Sequence, residues 1–391
     1  MPKAEEVRKT KSLPRKKLNR VDVPMVIIIL ILIAFGIVMV LSASAPKSLS
    51  ENGNSYNYVI RQAGVAAGGL VLMWLVSRFD YHKFKKWYIP IYFFSVLILF
   101  LVYVPGIGLS VNGARRWAAI GPIQFQPSEI TKIGLIIAIA GYFTDERRTK
   151  KNFWTEILLP TIMGAIPAII VLKLQNHMSA GIIMMLITWI IVFISGVKKS
   201  YVWASVGIGG GLLGILGITG GINKILGDSF RGERLQAWQD PLNSTLDSAY
   251  QTKQSLYAIG SGGLFGVGLG QSTQKYTYLP EAHNDFIFAI IAEEMGFFGC
   301  ALVIILYAFF AFRGILISVR AQDLFGKLIA TGIISQIMIQ TIMNIAVCTA
   351  VIPNTGVSLP FLSYGGTSLL MLLISMGLVL SVSRNRKVEE N

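Results

Sequence analysis

The chain has 391 residues, of which 53% are hydrophobic and only 14% are charged. That balance excludes a soluble globular protein, because one compact core could not keep so much apolar surface out of water; it reads as an integral membrane protein. The formal net charge of +15 does not point to nucleic acid either, since the basic residues sit in short clusters between apolar stretches, with no basic face interleaved with aromatics.

Apolar runs occupy residues 23–44, 59–77, 87–105, 128–143, 157–174, 179–196, 201–221, 285–312, 326–351 and 362–383. Each is near the ~20 residues that a helix needs to cross ~30 Å of hydrocarbon. They predict an all-α integral membrane protein with about ten transmembrane helices. The first run ends in LSASA at 41–45, which resembles a signal-peptidase site, but it is longer than the ~7–15 apolar residues of a signal peptide and reads as a retained span. An even number of spans puts both termini on one side, and basic residues decide which. The tails and connections on the side of the termini hold 24 Lys and Arg, the other side holds 10, and Lys132 falls inside a span. Both termini are therefore expected in the cytoplasm. The expected organisation is a basic cytoplasmic tail 1–22, a single membrane domain 23–383 and a short cytoplasmic tail 384–391.

One long extracellular loop, about 222–284, is expected before the eighth span, and loops of that length usually carry function. Its middle is amphipathic and reads as helical turns, followed by GSGGLFGVGLG at 260–270. That run lacks the G-x-G-x-x-G spacing of a nucleotide site and reads as tight backbone packing or a re-entrant bend. The two cysteines, Cys300 and Cys348, both lie in apolar runs, so neither a disulfide framework nor a zinc site is expected.

Ionisable groups at membrane depth are costly and functional by default. Glu129 and Lys132 lie three residues apart near the outer end of the fourth run, so on a helix they share a face and can pair. The stretch YTYLPEAHNDFIFAIIAEE at 276–294 brings Glu281, His283, Asp285, Glu293 and Glu294 to the start of the eighth run. Asn284 or Asp285 would suit a helix N-cap. A cap accounts for one polar residue, but for neither His283 nor the acidic pair two turns further in.

Four segments carry a more specific signal: NGARRWAAIGPIQFQPSEITK at 112–132, QSLYAIGSGGLFGVGLGQS at 254–272, YLPEAHNDFIFAIIAEEMGFFG at 278–299 and NTGVSLPFLSYGGTSLL at 354–370. In this order, on a chain of ten apolar runs, they resemble the shape, elongation, division and sporulation (SEDS) family, FtsW, RodA and SpoVE. SASA after the first run and LPFLSYGGTS are more similar to the division and sporulation branch. The resemblance implies a bacterial peptidoglycan glycosyltransferase, multi-pass in the cytoplasmic membrane, that polymerises lipid II into glycan strands. It implies a class B penicillin-binding protein as partner, together with other division or elongation proteins. No cofactor or resident metal is implied, although a divalent cation could assist.

The family's catalytic aspartate matches Asp285, and its charged membrane pair matches Glu129 and Lys132. A carboxylate at the outer edge suits removal of a proton from the acceptor hydroxyl. Arg115, Arg116, Arg231, Arg234 and Lys132 suit the charge that develops on a departing pyrophosphate; the loop arginines could equally anchor the chain to lipid headgroups. Glu281, His283 and Ser363 are expected to shape the surroundings. Two positions depart from the family pattern: Gln175-Asn176-His177-Met178-Ser179 stands where Pro-Asp-x-Gly is common, and Asn284 where Thr is commoner. Two other functions stay open on the sequence. A flippase for the lipid-linked precursor would place polar groups along a path through the midplane, often with inverted repeats; a scaffold that recruits the penicillin-binding protein would not need Asp285.

Overall fold

The computed structural model describes residues 21–111, 114–121, 123–148, 152–201, 203–205, 207, 237–241, 247–276 and 278–385. Helices α1 (Val23–Asn52), α2 (Asn57–Arg78), the short α3 (His82–Lys86) and α4 (Tyr88–Leu97) come first, and a 3-10 segment, Ile98–Tyr103, prolongs α4. After a small sheet come α5 (Pro127–Phe143), a π turn leading into α6 (Leu159–Leu174), and α7 (Met178–Ile194). The last helices are α8 (Asp247–Gly262), α9 (Ile287–Val319), α10 (Leu324–Cys348) and α11 (Gly366–Arg384). Nine of the ten apolar runs coincide with these helices; the seventh, 201–221, lies mostly outside the described residues. Six helices among the described residues are long and apolar enough to cross a membrane.

The all-α expectation needs one correction. Three short strands, β1 (Gly108–Val111), β2 (Ala114–Ile120) and β3 (Ile123–Phe125), form an antiparallel sheet in the order β1-β2-β3. The sequence signal was the Asn-Gly dipeptide at 112–113, a favoured hairpin turn. Hydropathy does not register strands this short. The sheet leads directly into α5, which begins with Pro127 where a missing N–H costs nothing. Nearly all of α5 is buried, including Lys132, as expected of a helix apolar on every side. It packs against α4, α7 and α10 at the centre of the molecule, while α2 and α11 pack along each other at one flank. There Gly69 lies against Leu373, and Gly377 against the Met73 carbonyl, the close approach that small residues permit.

The glycine run at 260–270 packs as the sequence suggested, and its partner is a break in α9. Gly296 interrupts that helix with φ 64° and ψ −160°. A Cβ at Gly296 would sit 2.4 Å from the Gly266 nitrogen, and one at Gly266 (φ +79°) would sit 2.2 Å from the Glu294 carbonyl. Neither site admits a side chain. The loop closes the break with backbone bonds: Val267 N–H donates to Glu293 O at 2.9 Å, Gly268 N–H to Glu294 O at 3.0 Å and Phe297 N–H to Gly263 O at 2.9 Å.

The same junction explains the acidic pair. Glu293 and Glu294 are both buried, as is Lys275. Glu293 accepts from Ser272 Oγ at 2.5 Å and from Thr273 N and Oγ1, each at 2.9 Å. Glu294 pairs with Lys275 Nζ at 2.9 Å and accepts from Ser42 Oγ of α1 at 2.6 Å. Both carboxylates therefore latch the loop that precedes α9 to α9 and α1, which is a folding role.

Candidate active site

Asp285 sits in a compact turn just before α9. Glu281 adopts a left-handed conformation (φ 56°), unusual for a residue with a side chain. Its carbonyl collects the N–H groups of Asn284 at 3.0 Å and Asp285 at 3.1 Å. Two further residues hold the turn from behind. Asn344, fully buried in α10, donates through Nδ2 to Asp285 O and to Val357 O, each at 2.7 Å. Ser363 Oγ accepts from Leu359 N–H at 2.8 Å and donates to Asn284 O at 2.6 Å. The cap position of α9 belongs to Phe286, whose side chain makes no capping hydrogen bond. The backbone of Asp285 is thus positioned by other residues, and Asp285 lines a cavity.

That cavity holds about 610 Å³ and is also lined by Arg116, Glu129, Lys132, His177, Glu281 and His283, a size usual for a small-molecule site. Glu129 and Lys132 meet as their spacing predicts, with Lys132 Nζ 2.8 Å from Glu129 Oε1. The lysine side chain is 1% exposed and the glutamate 12%, so the carboxylate retains access to the cavity. Adjacent strand residues point to opposite faces, and this separates the two arginines of β2. Arg116 lines the cavity; Arg115 is exposed and lies 5.9 Å from the ring of Tyr103. Burial lowers the pKa of the Arg116 guanidinium from its ordinary value, and the Asp285 carboxylate opposes that shift, as a nearby opposite charge does.

The segment that departs from the family pattern holds Arg116 with backbone groups. Asn176 is left-handed (φ 49°), and Arg116 donates through Nη2 to its carbonyl at 2.7 Å and through Nε to Gln175 O at 3.4 Å. Next to them, His177 Nδ1 accepts from Gln126 Nε2 at 3.2 Å. Arg231 and Arg234 lie outside the described residues. Ser363 is buried behind the turn as a support; Glu281 lines the cavity partly exposed, and His283 lines it as a buried side chain. Among the described residues, no group of three or more His, Cys, Asp or Glu could hold a metal ion.

Residue-by-residue reading missed Asn344, Tyr58, Tyr364 and Lys47, of which the last three line the cavity. A lone Asn in an apolar helix is a signal of the kind that intramembrane polar residues give. The other three carry none until the chain is folded.

Several known proteins share this architecture. A chain of the structure described as "Structural coordination of polymerization and crosslinking by a peptidoglycan synthase complex" matches with a TM-score of 0.77 at 27% identity, covering 94% of this chain and 99% of that one. The rod shape determining protein RodA of Thermus thermophilus matches with a TM-score of 0.67 at 27% identity, covering 94% and 98%. Stage V sporulation protein E of Bacillus subtilis (strain 168) is 37% identical over 363 residues, 93% of this chain and 97% of that protein. The probable peptidoglycan glycosyltransferase FtsW of Geobacter sp. (strain M18) is 36% identical over 342 residues, 88% and 91%. The family model described as Cell cycle protein, of FtsW, RodA and SpoVE, matches residues 23–388, and the chain belongs to that family.

Proposed function

We propose that the chain polymerises lipid II into glycan strands at the outer face of the bacterial cytoplasmic membrane, in division or sporulation, with a class B penicillin-binding protein as partner. The observation that carries this reading is the placement of Asp285 in one cavity with Arg116 and the Glu129–Lys132 pair. Asp285 takes the proton from the acceptor hydroxyl, a contribution of ~10²–10⁴-fold for a well-placed base. Arg116 and Lys132 stabilise charge on the departing pyrophosphate, Arg116 with the planar fork that suits phosphate. The relatives named as peptidoglycan glycosyltransferases support the reaction class. The transporter reading loses its best support, because Glu293 and Glu294 are occupied in the loop junction. Full-length protein given lipid II, with and without a class B partner, should yield glycan strands on a gel. No polymer in either case, with lipid flipping in vesicles, would move the assignment to a transporter.

The arrangement in the membrane belongs to the same proposal: ten spans in one domain between cytoplasmic tails 1–22 and 384–391, with 222–284 outside. It rests on the distribution of basic residues. A cysteine placed at Asp240 should react with an impermeant maleimide on intact cells; protection until the membrane is breached would reverse the orientation.

Lys132 separates a site role from a fold role. Lys132→Met should lower polymerisation by about 10²-fold, the usual cost of one lost transition-state donor, with melting temperature nearly unchanged because Glu129 stays partly accessible. A melting temperature that falls in step with activity would make the pair a packing element.

A further inference from the structure

The cavity wall next to Asp285 has a chemistry that the base and the cations leave unused. Tyr58 at the start of α2, His283 in the turn before α9 and Tyr364 just before α11 all line the cavity. Their ring centroids lie 4.9 Å (Tyr58–His283), 5.0 Å (Tyr58–Tyr364) and 5.7 Å (His283–Tyr364) apart, at interplanar angles of 62°, 77° and 53°. The three come from distant parts of the chain and are stitched into one unit by backbone bonds. Tyr364 N–H donates to His283 O at 2.9 Å. Gln62, one turn after Tyr58 and 1% exposed, donates to Ser363 O at 3.1 Å and accepts from Gly365 N–H at 3.2 Å. Rings held this way keep their orientation without a bound ligand, which lowers the entropy cost of binding.

A polar rim surrounds the rings. Tyr58 OH donates to Glu51 at 2.7 Å, Lys47 lies 3.8 Å from Glu281, and Asn284 Nδ2 donates to Glu281. Burial, reinforced by Lys47, pushes the His283 pKa down to about 4 against the pull of Glu281 and Glu51. The imidazole is therefore an uncharged ring at neutral pH. This wall is poorly suited to phosphate, which the Arg116 and Lys132 region serves better. It suits a ligand with a flat C–H face and a polar edge. The C–H groups of a pyranose carry partial positive charge and pack on the negative face of an aromatic ring, while its hydroxyl and amide groups meet the rim.

Resting on the polymerase reading, we infer that Tyr58 and Tyr364, braced by the buried ring of His283, form a stacking lip for the acceptor's N-acetylhexosamine ring beside the base. The acceptor sugar lies on this lip and presents its hydroxyl to Asp285, and the donor pyrophosphate lies toward Arg116 and Lys132. Donor and acceptor are thus told apart by chemistry: a neutral aromatic wall for one, cations for the other.

The test uses full-length protein and a soluble probe, the disaccharide of N-acetylglucosamine and N-acetylmuramic acid, read by saturation-transfer NMR. Ring C–H protons of one sugar face should saturate most strongly. Tyr58→Leu and Tyr364→Leu should each weaken binding roughly two- to tenfold, the range of one aromatic contact, whereas Tyr58→Phe, which keeps the ring and removes only the rim hydroxyl, should weaken it less than Tyr58→Leu. With lipid II, the leucine variants should raise KM more than they lower kcat. Even saturation around the sugar in the unmodified protein, or unchanged affinity in folded leucine variants, would overturn the lip while leaving the polymerase reading intact. Ring-dependent disaccharide binding by a protein that makes no polymer would keep the lip as a sugar site and remove the polymerase reading.

Discussion

Asp285→Asn is expected to give a protein that folds, inserts and binds its penicillin-binding partner, yet makes essentially no glycan from lipid II. The substitution is nearly isosteric, and the turn is held through backbone groups. Asn344 holds the Asp285 carbonyl, the Glu281 carbonyl takes its N–H, and the cap position of α9 falls on Phe286. What the amide lacks is the ability to take a proton, a loss of ~10²–10⁴-fold for a general base. Polymerisation measured on a gel beside a melting curve checks both halves of the expectation. A well-folded variant with near-normal polymerisation would send the search for the base to Glu281 or Glu129.

Lys275→Met should do the opposite, lowering stability severely through a residue that belongs to the fold. The Lys275 side chain is 3% exposed and its partner Glu294 is fully buried. Removing the cation strands a buried carboxylate, which costs about 3–5 kcal/mol when one member of such a pair is lost. Ser42 Oγ and the weak contact from Ser272 N–H at 3.4 Å remain as donors, and neither supplies a positive charge. A thermal melt should show a drop of many degrees, or the variant should fail to accumulate. Pairing the change with Glu294→Gln should recover much of the loss, because the stranded charge is then gone. A single variant that melts like the parent would mean that water or a rearranged side chain reaches Glu294, and the latch would not be structural.

The contrast between Lys132 and Lys275 shows how far local sequence reaches. Both are single lysines in apolar or glycine-rich surroundings. The partner of Lys132 lies three residues away on the same helix, so helical periodicity alone names it. The partners of Lys275 are Glu294, 19 residues on, and Ser42, 233 residues back in α1. No periodicity relates these positions.

Local patterning therefore determined the membrane class, the positions of nine described helices, the Glu129–Lys132 pair and the tight packing of the glycine run, because hydropathy and helical spacing act between near neighbours. The motif around Asp285 singles that residue out as the proposed base. Only the tertiary structure decided that Arg116 enters the cavity while Arg115 turns away, since that depends on a strand too short for hydropathy to reveal. It also decided that Glu293 and Glu294 fasten a loop, and that Tyr58 and Tyr364 stand beside His283. Whether a buried polar group is spent on folding or left for chemistry depends on which donors the folded chain brings to it, and those donors come from segments that touch only after the helices have packed.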